Sequence, residues 1–304
     1  MSVFSQLRQH VQRSPTLSAP SSPVVASWEL ALRLKRRREQ LGIEVRTITE
    51  ALGFSRNYWS AVENERKILS LESLTRLIDL FEFDSEEQQE LLTLRAAAKE
   101  RGWWTRYSAL FDNEIQRLYG LEQGARGLRD YENLLIPGLL QTADYTRALI
   151  LPDVTMRAVE VNQRVEARQR RQQRLTDPDD PFRFTAVISE AALRQQIGGP
   201  KVLRDQLAHL ATMIEQYPEK LDLRVIPFTA TACGLFGGAT VVVIDFDNSQ
   251  LPTLAWQETV SSWGIIEDPI EVRNITMTFE DAYRRALGRK ETFEMVRHHT
   301  KYME

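Results

Sequence analysis

Residues 47–67, TITEALGFSRNYWSAVENERK, restrict the fold more than any other part of the chain. Two short helical patterns meet at Gly53, and the second opens with Ser55. Ile48, Ala51 and Leu52 share one face of the first pattern, while Trp59 and Val62 form the inward stripe of the second. Gly53 can take the positive φ that a sharp turn requires, and Ser55 can accept from the backbone amides behind it. Phe54 and Trp59 have the spacing of a hydrophobic staple across that cap. Arg56, Asn57, Tyr58, Ser60 and Ala61 are left facing outward. A helix over residues 55–64 offers such side chains to base edges in a major groove. The stretch reads as a helix-turn-helix whose partner is double-stranded DNA.

The chain around it has 304 residues, enough for two domains and a sizeable core. At 42% hydrophobic and 27% charged it is ordinary soluble material, and a net charge of -3 does not by itself point to nucleic acid. The charge is unevenly placed: residues 28–67 hold nine Lys/Arg against six Asp/Glu, so the remainder is acidic. One cysteine, Cys233, excludes an internal disulfide framework and fits a reducing cytoplasm. No apolar run approaches the ~18 residues that span a bilayer. Gln6, Arg8, Gln9, His10 and Arg13 interrupt any signal-like apolar stretch. A cytoplasmic protein without a membrane partner is expected.

Ser and Pro dominate residues 14–27, so residues 1–27 are expected to form a flexible arm. From Trp28 a helix is expected to run to about Gln40, with Leu30, Leu34 and Leu41 inward and Gly42 as its stop. Its last turns carry Lys35, Arg36, Arg37 and Arg38. Ser70 precedes an amphipathic helix with Leu74, Leu77, Ile78 and Phe81 inward, and Ser85 is placed to cap a fifth that runs to about Arg101. Five short helices thus make a compact domain over residues 28–101.

Residues 28–83 resemble the DNA-binding domain of the lambda-repressor-like, xenobiotic-response-element (XRE) regulators. The likeness rests on the stop at Gly42, on LGFSRNYWSAVEN and on SLESLTRLIDLF. It implies that Arg56, Asn57 and Ala61 read bases and that Arg38 pairs with Glu63 as a structural pair. Three positions depart from the family pattern. Glu44 and Val45 stand where a Thr-Gln-like pair is usual, Thr49 replaces a small Ala, and Glu65 replaces a Gly. The last leaves Asn64 as the expected left-handed cap. Lys35, Arg36, Arg46, Arg66 and Lys67 are the expected phosphate contacts.

Residues 102–304 read as a second, regulatory or dimerisation domain, helical over 102–178 and α+β over 179–304. Gly102-Trp103-Trp104 suggests a hinge whose tryptophans pack the domains together. A helix is expected over 119–135, a short one after Thr142, and a very basic one over 155–175 with its arginines solvated or salt-bridged. Strands are expected at 182–188, 221–228, 239–246 and 253–260, with helices at 190–197, 202–217 and 268–287. The fold class is therefore multidomain, α followed by α+β.

The blocks YENLLIPGLLQTADY, ISEAALRQQIGG and RVIPF resemble a group of actinobacterial regulators that fuse an XRE-type domain to a poorly characterised C-terminal domain. The resemblance implies a regulator, and for some members a small protein partner encoded nearby.

No catalytic constellation accompanies these features. The four histidines are scattered, apart from the adjacent His298 and His299, which a helix points about 100° apart, so no metal site is expected. GLFGG lacks the Lys-Ser/Thr of a phosphate loop, and no cofactor is expected. Asp245 and Asp247 share a strand face and are read as solvated at its end. The sequence reads as a non-enzymatic, homodimeric, sequence-specific transcriptional regulator, its second domain dimerising and binding an effector or partner. The alternative is an antitoxin-like protein that acts mainly by binding a small protein.

Overall fold

The computed structural model describes residues 19, 21–152, 157–235, 237–259 and 261–302. Its first helix, α1, spans Pro23–Gln40 and so begins ahead of the expected start at Trp28. Ser22 Oγ accepts from Val25 N at 3.4 Å, and Pro23 sits where a missing N–H loses no helical hydrogen bond. The expected arm over 1–27 is therefore helical from residue 23 onward, and most of the rest lies outside the described residues.

Four more helices close the first unit: α2 (Val45–Leu52), α3 (Arg56–Glu63), α4 (Leu71–Leu80) and α5 (Ser85–Ala98). Leu34, Ile48, Trp59, Leu74, Phe81 and Leu91 bury fully into one core. Each such side chain contributes about 1.5–3 kcal/mol against the chain entropy. Two expected inward residues are not inward. Leu41 follows the last turn of α1 and is 40% exposed, and Ala51 lies on the open side of α2. Asp84 caps α5 in place of Ser85, because its carboxylate accepts from the amides of Glu86 and Glu87 while Glu87 reaches back to the Asp84 amide.

Beyond a short 3-10 turn (Trp103–Tyr107) the second unit comprises α6 (Asn113–Gly124), β1 (Gly127–Glu132), α7 (Ala143–Ile150), α8 (Ala158–Thr176) and β2 (Arg183–Ser189). It continues with α9 (Pro200–Gln216), β3 (Leu221–Ile226), β4 (Thr240–Asp245), β5 (Leu254–Glu258), β6 (Trp263–Ile266), α10 (Pro269–Arg285) and α11 (Arg289–Lys301). One mixed sheet has the order β3-β2-β1-β4-β5-β6, parallel from β3 to β1 and antiparallel from β1 to β6. The expected helix over 119–135 is thus wrong in its second half, since β1 is a strand and pairs with β2 and β4. This also removes the division into a helical part and an α+β part, because β1 lies inside residues 102–178. The expected helix over 190–197 is only a single 3-10 turn, Glu190–Leu193.

Residues alternate across β1. Leu128, Asp130 and Glu132 face α6 and α8, whereas Tyr131 faces α10 and packs with Val187, Phe279 and Ala282. Of the two readings expected of basic helix α8, solvated or salt-bridged, the second describes its inner arginines, while Arg170 stays exposed. Arg171 grips Glu122 with two hydrogen bonds of 2.9 and 2.6 Å, and Arg174 grips buried Asp180 at 2.7 and 2.9 Å. Asp245 is likewise held, accepting from Arg129 at 2.9 and 3.0 Å.

Helix α1 belongs to both cores. Leu30 and Leu34 enter the first, while Trp28 enters the second and its ring lies 5.2 Å from Phe246. Ser22 Oγ also donates to the Gly120 carbonyl at 2.6 Å. Trp104 is buried in the same second core, and a Cβ on Gly102 would come within 2.2 Å of its ring. The expected packing of a tryptophan at the junction is therefore seen at Trp104. Among the described residues no helix is long and apolar enough to cross a membrane.

Candidate nucleic-acid interface

The turn between α2 and α3 is built by local chemistry. Gly53 adopts φ 70°, ψ 27°, so its amide returns to the Thr49 carbonyl and ends α2. Ser55 Oγ then accepts from Tyr58 N at 3.1 Å and starts α3. Arg76 of α4 closes the free end of α2 by donating to the Ala51 carbonyl at 2.5 Å. Trp59, fully buried, and Val62 fix the rotation of α3. That rotation leaves Arg56, Asn57 and Ser60 exposed together on one side.

Tyr58 and Ala61 are only half-exposed. The Tyr58 ring packs 4.4 Å from Phe54, and the Lys67 ammonium sits 5.4 Å above it. Phe54 thus meets Tyr58 ring to ring, and both pack against the core in which Trp59 is buried. Tyr58 is turned partly away from the outward face expected of it. Ser60 keeps its exposed position while accepting from Asn64 Nδ2 at its carbonyl, 2.6 Å away.

The basic cluster at the end of α1 divides its roles. Arg38 Nε donates to Glu63 Oε1 at 2.7 Å, both side chains largely covered. Arg37 donates to the carbonyls of Phe81 and Glu82 at 2.9 and 2.6 Å and so closes the end of α4. Arg36 is exposed, and its Nη1 reaches the Gln250 carbonyl in the second domain at 2.7 Å, so the guanidinium expected to meet phosphate also makes an interdomain bond. Lys35 lines a cleft of about 810 Å³ between the domains, on the side that faces the second domain. Of the other expected phosphate contacts, Arg46 forms an exposed pair with Glu50 at 2.7 Å, Lys67 lies over Tyr58, and Arg66 is exposed at the rim of the cleft.

Past α3 the expected left-handed cap at Asn64 is replaced by one at Glu65. Glu65 has φ 59°, and Asn64 has φ -103°. Arg117 of α6 holds the Glu65 carboxylate, with Nη2 at 3.3 Å from both oxygens, and also meets Glu267 at 2.7 Å. Burial still pushes the Glu65 carboxyl above the usual range, against the pull of Arg117. Sequence reasoning missed Arg117. The signal available was a carboxylate where a glycine is usual.

A family model for a helix-turn-helix domain matches residues 29–91, which contain α2, α3 and α4. No curated protein and no solved structure matches the chain. A second family model, described as a domain of unknown function (DUF5753), matches residues 115–298. That match covers more than half of the 304 residues, so the chain belongs to the DUF5753 family and carries a helix-turn-helix domain ahead of it.

Proposed function

We propose that the chain is a cytoplasmic, sequence-specific transcriptional regulator of the XRE type that works as a homodimer and inserts α3 into the major groove. The observation that carries this reading is the exposure of Arg56, Asn57 and Ser60 along a helix whose opposite face, Trp59 and Val62, is buried. An arginine so placed can bond a guanine through two donors, and an asparagine can bond an adenine in the same way. Arg46, Arg66 and Lys67 supply phosphate contacts around it, Arg46 exchanging its surface pair with Glu50 for a phosphate. The activity is binding rather than catalysis.

One helix-turn-helix contacts too few base pairs to find one site in a genome, so such domains generally act in pairs about one helical turn apart. In this reading the second domain supplies the pairing surface and takes up an effector or partner, as in the actinobacterial group the sequence resembles. Helix α10 leaves Ile270 and Met277 exposed at 69% and 59%, seven positions apart along one side. Titration of duplex genomic fragments at several salt concentrations, with sedimentation of free and bound protein, tests the reading. A log–log salt slope of several units and a dimer on DNA are expected. Affinity that ignores salt, or a monomer bound at full strength, would overturn it.

A further inference from the structure

The second domain holds a cavity of about 250 Å³ between α8 and the face of the sheet formed by β1, β4 and β5. Asp130 and Glu132 stand two residues apart on β1 and so share that face; Val242 and Trp256 continue the row across β4 and β5. From the opposite wall, Arg164, Arg168 and Arg171 come at spacings of four and three, one side of a helix. None of this cavity was read as a site from the sequence, although the arginine spacing was visible there.

Among the described residues, one ion pair joins the charges that line it, and the others are left without one. Arg171 is satisfied by Glu122. Arg168 makes a hydrogen bond of 2.6 Å to the neutral Gln141 Oε1, and among the described residues no ion pair joins it to Asp130, Glu132 or Glu258. Asp130 is 6% exposed, and its Oδ1 has no hydrogen-bond partner. Arg164 Nε is also buried without a partner, while its Nη2 donates to the Leu110 carbonyl at 2.7 Å. Glu132 accepts from Thr240 at 2.9 Å and, among the described residues, forms no ion pair. Burial pushes the carboxyls of Asp130 and Glu132 up and the Arg168 guanidinium down, and the opposite charges across the cavity counter this only in part. A fold gains nothing by burying opposite charges and then holding them apart across open space. A molecule carrying both charges would satisfy both walls.

We propose that this cavity is a binding site for a free α-amino acid, its carboxylate on Arg168 and Arg164 and its ammonium on Asp130 and Glu132. The aromatic rings of Phe111, Tyr119 and Trp256 line the remaining space and receive the side chain. A cavity of about 250 Å³ lies below the ~300–1,000 Å³ usual for ligand sites, which favours a small ligand such as a single amino acid. A simple amine would answer the carboxylates and leave Arg168 unmatched, and a simple acid would do the reverse. This deepens the reading of the second domain as the effector-binding half. Ligand uptake is measured without DNA, so its failure leaves the DNA-binding reading standing.

The test is calorimetric titration of the full chain with each of the twenty proteinogenic amino acids. For every binder, the matching amine without the carboxylate and the matching acid without the amine are titrated as well. At least one amino acid is expected to bind at one site per chain, and its amine and acid at least about tenfold more weakly, equivalent to about 1.4 kcal/mol. Asp130→Asn, which keeps the shape, and Arg168→Met are each expected to weaken that binding by about tenfold or more. No binding by any of the twenty at about 1 mM, an amine or acid equal to its parent, or a folded Asp130→Asn protein with unchanged affinity would overturn the assignment. The comparison of amino acid, amine and acid uses only the native chain, so it decides the matter even where a variant does not fold.

Discussion

Arg117 Nη2 lies 3.3 Å from both carboxylate oxygens of Glu65, joining the end of the proposed recognition helix to α6 of the second domain. Glu65 occupies a left-handed conformation that an L-residue other than glycine adopts at a cost of about 1–2 kcal/mol. The Arg117 pair holds the Glu65 carboxylate at this strained position, although burial outweighs its pull on the carboxyl. Arg117→Ala leaves two carboxylates, Glu65 and Glu267, without their cation and should destabilise the chain by about 1–3 kcal/mol. Glu65→Gly removes strain and ion pair together and should be close to neutral. In the Glu65→Gly background the loss from Arg117→Ala should shrink. Urea melts of the two single variants and the double variant check this, and strictly additive losses would show that the pair does not couple the domains.

Arg38 and Glu63 pin α1 to α3 with a 2.7 Å bond between side chains only 17% and 15% exposed. Glu63→Gln keeps the shape and removes the charge, so it should lower the stability of the helical domain by about 1–2 kcal/mol. Thermal melts beside binding isotherms give the answer. A variant of unchanged stability that binds DNA more tightly would mean that Glu63 merely repels phosphate.

Asp130 gives the chain a stability that falls with pH. Burial, with Glu122 and Glu258 nearby, pushes its carboxyl up to about 7 against the pull of Arg171, and Glu132 shares the same face. A carboxyl raised in the folded state contributes fully below its unfolded value of about 4. The contribution is lost as pH rises through about 7, on the order of 4 kcal/mol in all. Urea melts from pH 5 to pH 8 should therefore show falling stability for the native chain. The fall should be smaller for Asp130→Asn, which should match or exceed the native chain above pH 7. Equal slopes for the two proteins would contradict the placement of a buried carboxyl there.

Trp28 should matter more to the second domain than to the first. It is 4% exposed and its ring packs tilted against Phe246 at 5.2 Å, so a fragment ending at residue 101 uncovers it. Such a fragment should fold around Trp59 and Ile48 but with Trp28 emission shifted to the red. In the full chain Trp28→Ala should cost about 3–5 kcal/mol. Fluorescence of the fragment, compared with a Trp28→Phe version of it, measures this. A blue, quencher-resistant Trp28 signal in the fragment would show that the first domain buries it alone.

What was legible in the sequence was what local chemistry decides. Gly53 and Ser55 mark the turn through backbone freedom and capping, and Trp59 and Val62 mark the inner face by spacing alone. Ser22-Pro23 was an equally local helix start, obscured by the Ser and Pro around it. Strand β1 was not legible, because Arg129, Asp130 and Glu132 look like the polar side of a helix. Their partners are Asp245 and Glu280 on one face and a charged cavity on the other, all far along the chain. The bond from Arg36 to the Gln250 carbonyl was not legible for the same reason, since the two residues lie 214 positions apart. The left-handed residue is Glu65 and not Asn64, and the contact its side chain makes there, Arg117, lies in another domain.

Selection of bound sites from a randomised duplex pool, run side by side for the native chain and Arg56→Ala, tests the central claim most directly. The native chain should enrich one sequence, with two half-sites about one helical turn apart. Arg56→Ala should fold normally, lose about 1–3 kcal/mol of discrimination at one base pair of each half-site, and keep the rest of the preference. Failure of the native chain to enrich any sequence, or an identical enriched sequence for both proteins, would contradict the assignment of α3 as the helix that reads DNA.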